Sequence, residues 1–368
     1  MKLGFFTMPV HPKDRSYVET LKEDREAFIL ADRLGMSEAM MGEHLTDLCE
    51  NVPNSLMFCA SLADATKQIK LGTAVANLPF SHPVVVATNA AMLDTLLGGR
   101  LILGFGAGIL RSDAEALELL DADRGAMFAE ALDHVIALWT RDPPYDLKGK
   151  YWTISTAKSQ WAELGVGAMV KPLQKPHPPI MGTVTDRNSR GIGILGKRGF
   201  IPATAPYLHA NHVKHHWDLY AKGAAEAGRK ADRSIWRVAR SIFVADDDNV
   251  AERYGRTDAA SPYRFYMRQL SMKLARGKKL DAFKPDEAMA DEAVTLDGIM
   301  DEIVIAGSPS RVTDAILKLN EDAGGFGTLL YCGKNWTDPA LGRRSMELMA
   351  EKVMPAVNAA LGTQAAAE

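Results

Sequence analysis

The chain has 368 residues, with 43 Lys plus Arg against 46 Asp plus Glu and a formal net charge of −3, so nothing in the balance asks for nucleic acid or an acidic membrane. A composition that is 47% hydrophobic and 24% charged excludes disorder, and three cysteines without C-x-x-C spacing (Cys49, Cys59, Cys332) exclude a disulfide-stapled mini-fold and a thiolate zinc site. No apolar run reaches bilayer length, and the start Met1 to Phe6 lacks the apolar stretch of a signal peptide, so a soluble cytoplasmic enzyme is expected.

Leu3 to Thr7 reads as a short strand, followed by a helix from about Val18 to Gly35 whose apolar positions keep one face. Ser37 to Gly42 is a second strand, leading through Glu43-His44-Leu45 to a helix from about Ser55 to Thr66. Lys70 to Leu78 is a third strand. Pro83 opens a helix that Gly98-Gly99 stops before a fourth strand at Leu101 to Phe105. A long helix ends near Trp139, and Arg141 to Pro178 is so rich in Pro and Gly that it reads as an insertion or lid with no regular element. The rhythm resumes with strands at Pro179, Phe200, Trp236 and Gly327, separated by helices, with Asp246-Asp247-Asp248 as a turn that caps the next helix. The tail 363–368 reads as frayed.

Eight strands alternating with helices predict an α/β fold, a single (β/α)8 TIM barrel over residues 1–362 with residues 141–178 as a lid after the fourth helix. Barrels keep their chemistry just past the strand C-termini. That rule selects Met8, Pro9 and His11; Glu43 and His44; Asn77, Pro79, Phe80 and His82; and Gly106 and Gly108. His44 is the strongest candidate, because Glu43 beside it can orient a base and Met40, Met41 and Leu45 supply an apolar surround. The bland alternative is a satisfied, non-catalytic histidine.

Gly104-Phe105-Gly106-Ala107-Gly108 departs from a dinucleotide fingerprint in spacing and position, so its glycines are read as letting backbone approach a flat ligand or a neighbouring strand. Asn188-Ser189, opening a helix, can hold an anion or be a plain helix cap. His209, His212, His215 and His216 share a helix face but lack a carboxylate at ligand spacing, so they are read as a wet face and no metal is expected. Asp94 and Arg100 are read as a structural ion pair, and Lys273 to Lys279 as a solvated surface.

Several longer runs, in order, carry a family resemblance: Gly42-Glu43-His44, Leu71-Gly72-Thr73-Ala74-Val75 with Leu78-Pro79 and His82-Pro83, Leu93-Asp94 through Gly99-Arg100-Leu101, Leu120-Asp121-Ala122-Asp123-Arg124, and Pro143-Pro144-Tyr145-Asp146. The chain resembles the bacterial-luciferase-like flavin monooxygenases, nearest their limonene 1,2-monooxygenase-like branch. The resemblance implies reduced FMN from a separate flavin reductase, dioxygen as co-substrate, a flavin hydroperoxide that oxygenates an organic substrate, and a homodimer. It implies a catalytic role for His44, a cis peptide at Ala74-Val75, and phosphate contacts from Arg124, Asn188 and Ser189, with Asn77 and Gly106 also at the cofactor. Leu45 replaces the second histidine of the family's pair, and Ala107 replaces a family arginine, leaving Arg111 or Arg190 to stand in. Apolar side chains at the mouth (Phe6, Met8, Met41, Leu45, Phe80, Ile109, Tyr207) imply a small hydrophobic substrate. The competing readings are a deazaflavin-dependent dehydrogenase or reductase on the same barrel, and a non-catalytic flavin-binding protein.

Overall fold

In a computed structural model of the protein the described residues are 1–362; the tail 363–368 and the side chain of Arg190 lie outside them. In chain order the elements are β1 (Lys2–Thr7), α1 (Tyr17–Arg33), β2 (Glu38–Met41), α2 (Ser55–Ala60), β3 (Lys70–Thr73), β4 (Ala76–Asn77), α3 (Pro83–Leu96), β5 (Leu101–Gly106), α4 (Arg111–Ala116) and α5 (Arg124–Thr140). They continue with β6 (Asp146–Lys148), β7 (Thr153–Ser155), β8 (Ile180–Val184), α6 (Arg190–Arg198), β9 (Ile201–Thr204), α7 (Val213–Glu226), β10 (Arg237–Val244), α8 (Asp248–Glu252) and α9 (Pro262–Arg276). Last come α10 (Leu296–Ile303), β11 (Ile305–Gly307), α11 (Pro309–Ala323), β12 (Thr328–Cys332), α12 (Pro339–Leu348) and α13 (Met354–Ala360). The eight strands read from the sequence are β1, β2, β3, β5, β8, β9, β10 and β12, and they form the α/β, eight-strand parallel barrel expected.

The differences from the sequence reading have local causes. The Lys70 to Leu78 strand is two strands, because Ala74-Val75 is a cis peptide between β3 and β4. The helix at Ser55 stops at Ala60, where Ser61 Oγ turns back onto the Phe58 carbonyl and Thr66 Oγ1 onto that of Leu62. The breaker-rich segment is not without regular structure: β6 and β7 form an antiparallel hairpin, Leu147 opposite Ile154. β11, overlooked in the sequence, pairs in parallel with β10.

Contacts divide the chain into two compact units, Met1–Met40 with the residues from Met181 onward, and Met41–Ile180. In the first, β1 runs in register with β12 from Lys2 opposite Thr328 to Phe6 opposite Cys332, and β12 pairs in turn with β10. α1 buries Asp24, Ala27, Phe28 and Ala31 at helical spacing, so Phe28 meets the edge of Phe5 at 5.5 Å between ring centroids. The buried carboxylate of Glu38 on β2 takes the half-buried Arg237 through Nε at 3.0 Å and Nη2 at 2.8 Å, a fork that pairs the two charges. α6 and α7 touch through glycine, since a Cβ on Gly223 would lie 2.0 Å from the Gly193 carbonyl oxygen.

The histidine cluster on this unit is not a wet face. His209, His212 and His216 are buried and only His215 is exposed. His212 Nε2 donates to the Lys284 carbonyl at 2.8 Å and His216 Nε2 to that of Asp186 at 3.1 Å. Among the described residues no group of three or more His, Cys, Asp or Glu side chains is arranged to hold a metal ion. Burial pushes the His216 imidazole down to about 4, outweighing its carbonyl bonds, so it is neutral in the fold. Below its ordinary pKa of ~6.5 the unfolded chain therefore binds a proton that the folded one refuses. Stability from this residue is complete above about pH 6.5 and is lost as pH falls towards about 4, a loss of roughly 3 kcal/mol. Denaturant titrations across that window are expected to show the slope, and His216→Gln to remove its share.

In the second unit β3 pairs with β5 and β4 with the end of β5, Ala76 opposite Phe105. The Lys150 to Trp152 turn is fastened by Glu130 on α5, whose carboxylate accepts the backbone N–H groups of Lys150, Tyr151 and Trp152 at 2.7 to 2.9 Å. Asp94 accepts the backbone N–H and side-chain amide of Gln174 at 2.8 and 2.7 Å, while Arg100 donates to the Ile69 carbonyl at 2.7 Å. The Asp94–Arg100 ion pair read from the sequence is thus replaced by two separate clamps, one of which ties down the chain just before β8. No described helix is long and apolar enough to cross a membrane.

Candidate active site

His44 follows β2 on a loop whose backbone is held by the His44 N–H bond to the Val52 carbonyl at 3.1 Å. Its ring lies between two buried carboxylates. Nδ1 donates to Asp113 Oδ2 at 3.0 Å, and Nε2 faces Glu50 Oε2 at 3.4 Å. Asp113 stands in the first turn of α4 and is 1% exposed. Its other oxygen accepts from Leu45 N, Thr46 N and Thr46 Oγ1 at 3.1, 2.8 and 2.6 Å. Burial by itself would raise the Asp113 pKa, but the His44 and Thr46 hydrogen bonds outweigh it and hold the carboxyl below its ordinary range. A permanently ionised acceptor thus orients the imidazole and its tautomer.

Glu43 does not orient His44. Its Oε2 accepts Ser55 N at 2.9 Å and Ser55 Oγ at 2.6 Å, and its Oε1 accepts Asn77 N at 3.0 Å. It therefore positions Asn77 and the start of α2. The orienting acids are Asp113 and Glu50, which the sequence reading missed. Asp113 lies five residues beyond Gly108, so a wider window after the fourth barrel strand would have reached it; Glu50 carried no signal beyond its place on the same loop as His44.

Around this loop the second unit gathers most of the expected cofactor residues. Ala74 N donates to the Met41 carbonyl at 2.7 Å, which joins the cis pair Ala74-Val75 to the end of β2. A Cβ on Gly106 would lie 2.5 Å from Val75 Cγ2, and one on Gly108 would lie 2.3 Å from the Phe80 ring. The glycines after β5 therefore serve close approach to Val75 and Phe80. Leu45 and Ile109 are exposed large apolar side chains, 42% and 49% respectively. Arg124 begins α5. Its Nη1 donates to the Leu119 and Leu120 carbonyls, and its Nε is buried without a hydrogen-bond partner among the described residues.

The first unit holds the remaining candidates. Phe6 and Tyr207 are buried and Met8 half-buried; the Tyr207 ring lies 6.3 Å from that of Phe283. Ser189 is the N-cap of the nine-residue α6 but makes no side-chain cap bond, so its hydroxyl is not spent on the helix. Asn188 and Ser189 line a groove of about 300 Å³ with Ile194, Lys197 and His215. His11, selected past the first strand, is buried with Nε2 on Asp24 at 3.0 Å and Nδ1 on Asn335 at 2.7 Å, a structural bracing of that loop.

The Luciferase-like monooxygenase family model matches residues 1–325. Limonene 1,2-monooxygenase of Rhodococcus erythropolis is 30% identical over 98% of this chain and 87% of its own. 4-Hydroxyprotoasukamycin monooxygenase of Streptomyces nodosus subsp. asukaensis is 30% identical over 98% and 93%. The solved oxygenating constituent of 3,6-diketocamphane monooxygenase from Pseudomonas putida, a type II Baeyer-Villiger monooxygenase in complex with FMN, superposes with a TM-score of 0.87. It is 29% identical, covering 97% of this chain and 98% of that one. A family model that takes in most of the chain, and relatives aligned over nearly all of it, show where the chain belongs: the protein is a member of the luciferase-like monooxygenase family of oxidoreductases.

Proposed function

We propose that the protein is the oxygenase component of a two-component, FMN-dependent monooxygenase, fed with reduced FMN by a separate flavin reductase and acting on a small hydrophobic organic substrate. The observation that carries this reading is the likeness over 97% of the chain to an oxygenating constituent solved with FMN. The residues present suit that cofactor. Arg124, with a buried and unspent Nε, and the Asn188-Ser189 turn, with a free hydroxyl at a helix N-terminus, each offer donors to a phosphate. Ala74, Val75, Asn77 and Gly106 lie close together, Gly106 leaving room for the Val75 and Asn77 side chains, and are offered to the ring system. Bound and reduced, FMN supplies the electrons that activate dioxygen.

The chain's own side chains do the rest. His44 holds a proton on Nδ1 against Asp113, which leaves Nε2 as the nitrogen that exchanges a proton with reactants. Asp113 is a positioning residue, and Glu50 sets the polarity at Nε2. In the second unit Met41, Leu45, Phe80 and Ile109 offer apolar side chains to the substrate, in the first unit Phe6, Met8 and Tyr207 do, and residues 141–178 serve to exclude water. The limonene and diketocamphane relatives suggest cyclic, terpenoid-sized substrates.

Equilibrium dialysis of the purified protein against FMN and against a deazaflavin, each oxidised and reduced, tests the cofactor. FMN binding with preference for the reduced form is expected. Selective deazaflavin binding, with oxygen-independent hydride transfer from an alcohol, would replace this reading with the dehydrogenase one, and flavin retention without any turnover would reduce the protein to a flavin carrier.

A further inference from the structure

Arg240 lies in β10, four residues before that strand ends at Val244, and only 3% of it reaches solvent. Its Nη1 donates to the Ala239 carbonyl at 2.9 Å, and its buried Nη2 has no hydrogen-bond partner among the described residues. No carboxylate among the described residues forms an ion pair with it. Burial pushes the guanidinium down to about 10, so it is still cationic at neutral pH. The neighbouring Cys332 thiol is pushed up to about 12 by burial, stays protonated and supplies no countercharge.

The surroundings add positive charge near Arg240, while the acids Glu302 and Asp286 act on His209, Glu302 Oε2 lying 3.5 Å from its Nε2. Cys332 feels the charge of Lys334 as well as that of Arg240, and the Lys334 ammonium sits 3.4 Å over the Tyr266 ring. His209, after β9, is close enough for Arg240 to disfavour its protonation, although burial is the larger cause. A buried cation without a counterion is costly, and proteins keep one where a ligand completes it. The open edge of a guanidinium matches two oxygens in one plane.

We propose that Arg240 anchors a subsite for a planar, delocalised oxyanion, carried either by a carboxylate on the organic substrate or by the anionic ring of reduced flavin. The subsite goes beyond the reaction proposed above, since it would serve a dehydrogenase on this barrel as well as an oxygenase. Arg240 sits at the middle of its strand, the fourth of eight residues.

The test compares the full-length wild type with Arg240→Met, which keeps length and removes charge, and Arg240→Lys, which keeps charge and loses the fork. Calorimetric titration uses benzoate as the carboxylate probe, benzyl alcohol as its neutral control, and oxidised and reduced FMN under anaerobic conditions. A carboxylate subsite predicts that benzoate binds the wild type and that both variants lose at least about tenfold in benzoate affinity while benzyl alcohol is unaffected. A flavin subsite predicts the same loss for reduced FMN, with oxidised FMN unchanged and benzoate inert. In either case Arg240→Met melts at or above the wild-type temperature, because it removes an uncompensated buried charge. Unchanged affinity for both anions, or failure of both variants to fold, assigns Arg240 to the core and overturns the proposal.

Discussion

His44→Ala is expected to cut oxygenation of the organic substrate by roughly 10²- to 10⁴-fold, the range for loss of a positioned proton-transfer group, while leaving FMN affinity within about twofold. The two readouts separate because the imidazole is held by Asp113 at 3.0 Å and faces Glu50 at 3.4 Å, acids that are not among the residues proposed for the phosphate. Dioxygen consumed without product should then appear as hydrogen peroxide. Asp113→Asn keeps the shape of the acceptor but offers an amide where Nδ1–H needs a carboxylate. It should lower turnover in the same direction by a smaller factor and shift the pH profile, a change that mere loosening of the loop would not produce. Wild-type coupling in His44→Ala would remove the residue from the chemistry.

Gly108→Ala is expected to cost about 2–5 kcal/mol of stability, from ~1–2 kcal/mol for a side chain in the left-handed region and ~1–3 kcal/mol for overpacking. Gly108 has φ +78°, and the new methyl would lie within 2.9 Å of three atoms of the Phe80 ring. Phe80 would have to leave its place in the proposed apolar contact surface, so the Michaelis constant for the organic substrate should rise along with the loss seen in denaturant. Gly125→Ala is the control: its nearest neighbour to a Cβ is Asp123 Oδ1 at 3.4 Å, and its helical position demands no positive φ. Equal stability losses at the two positions would contradict the steric account.

What could be read from the chain was whatever a strand–helix alternation carries locally. β1 ends before Met8-Pro9, Gly35 and Gly98-Gly99 stop helices with φ between +61° and +81°, and Pro83 opens α3. His44 was legible because a polar residue just past a barrel strand is worth attention regardless of its partners. Its partners were not legible. Asp113 reaches His44 from 69 residues away, through the turn that starts α4, and no local pattern reports that pairing. The same blindness explains Glu43, which adjacency suggested for His44 but which folding turned towards Ser55 and Asn77. The histidines at 209, 212 and 216 misled for the opposite reason: a run of polar residues suggests water, whereas backbone carbonyls of Lys284 and Asp186 take His212 and His216, and the Asn211 N–H and Glu302 carboxylate take His209.

On the proposed reading the protein places one oxygen atom of dioxygen into an organic molecule at the expense of reduced FMN. The most direct measurement supplies chemically reduced FMN, isotopically labelled dioxygen and a panel of cyclic terpenoid ketones and alkenes, and follows the label by mass spectrometry. One labelled oxygen per product molecule, stoichiometric with FMN oxidised and lost in His44→Ala, is the predicted result. Recovery of all the label as hydrogen peroxide and water, with FMN reoxidised at its rate in buffer, would contradict the account.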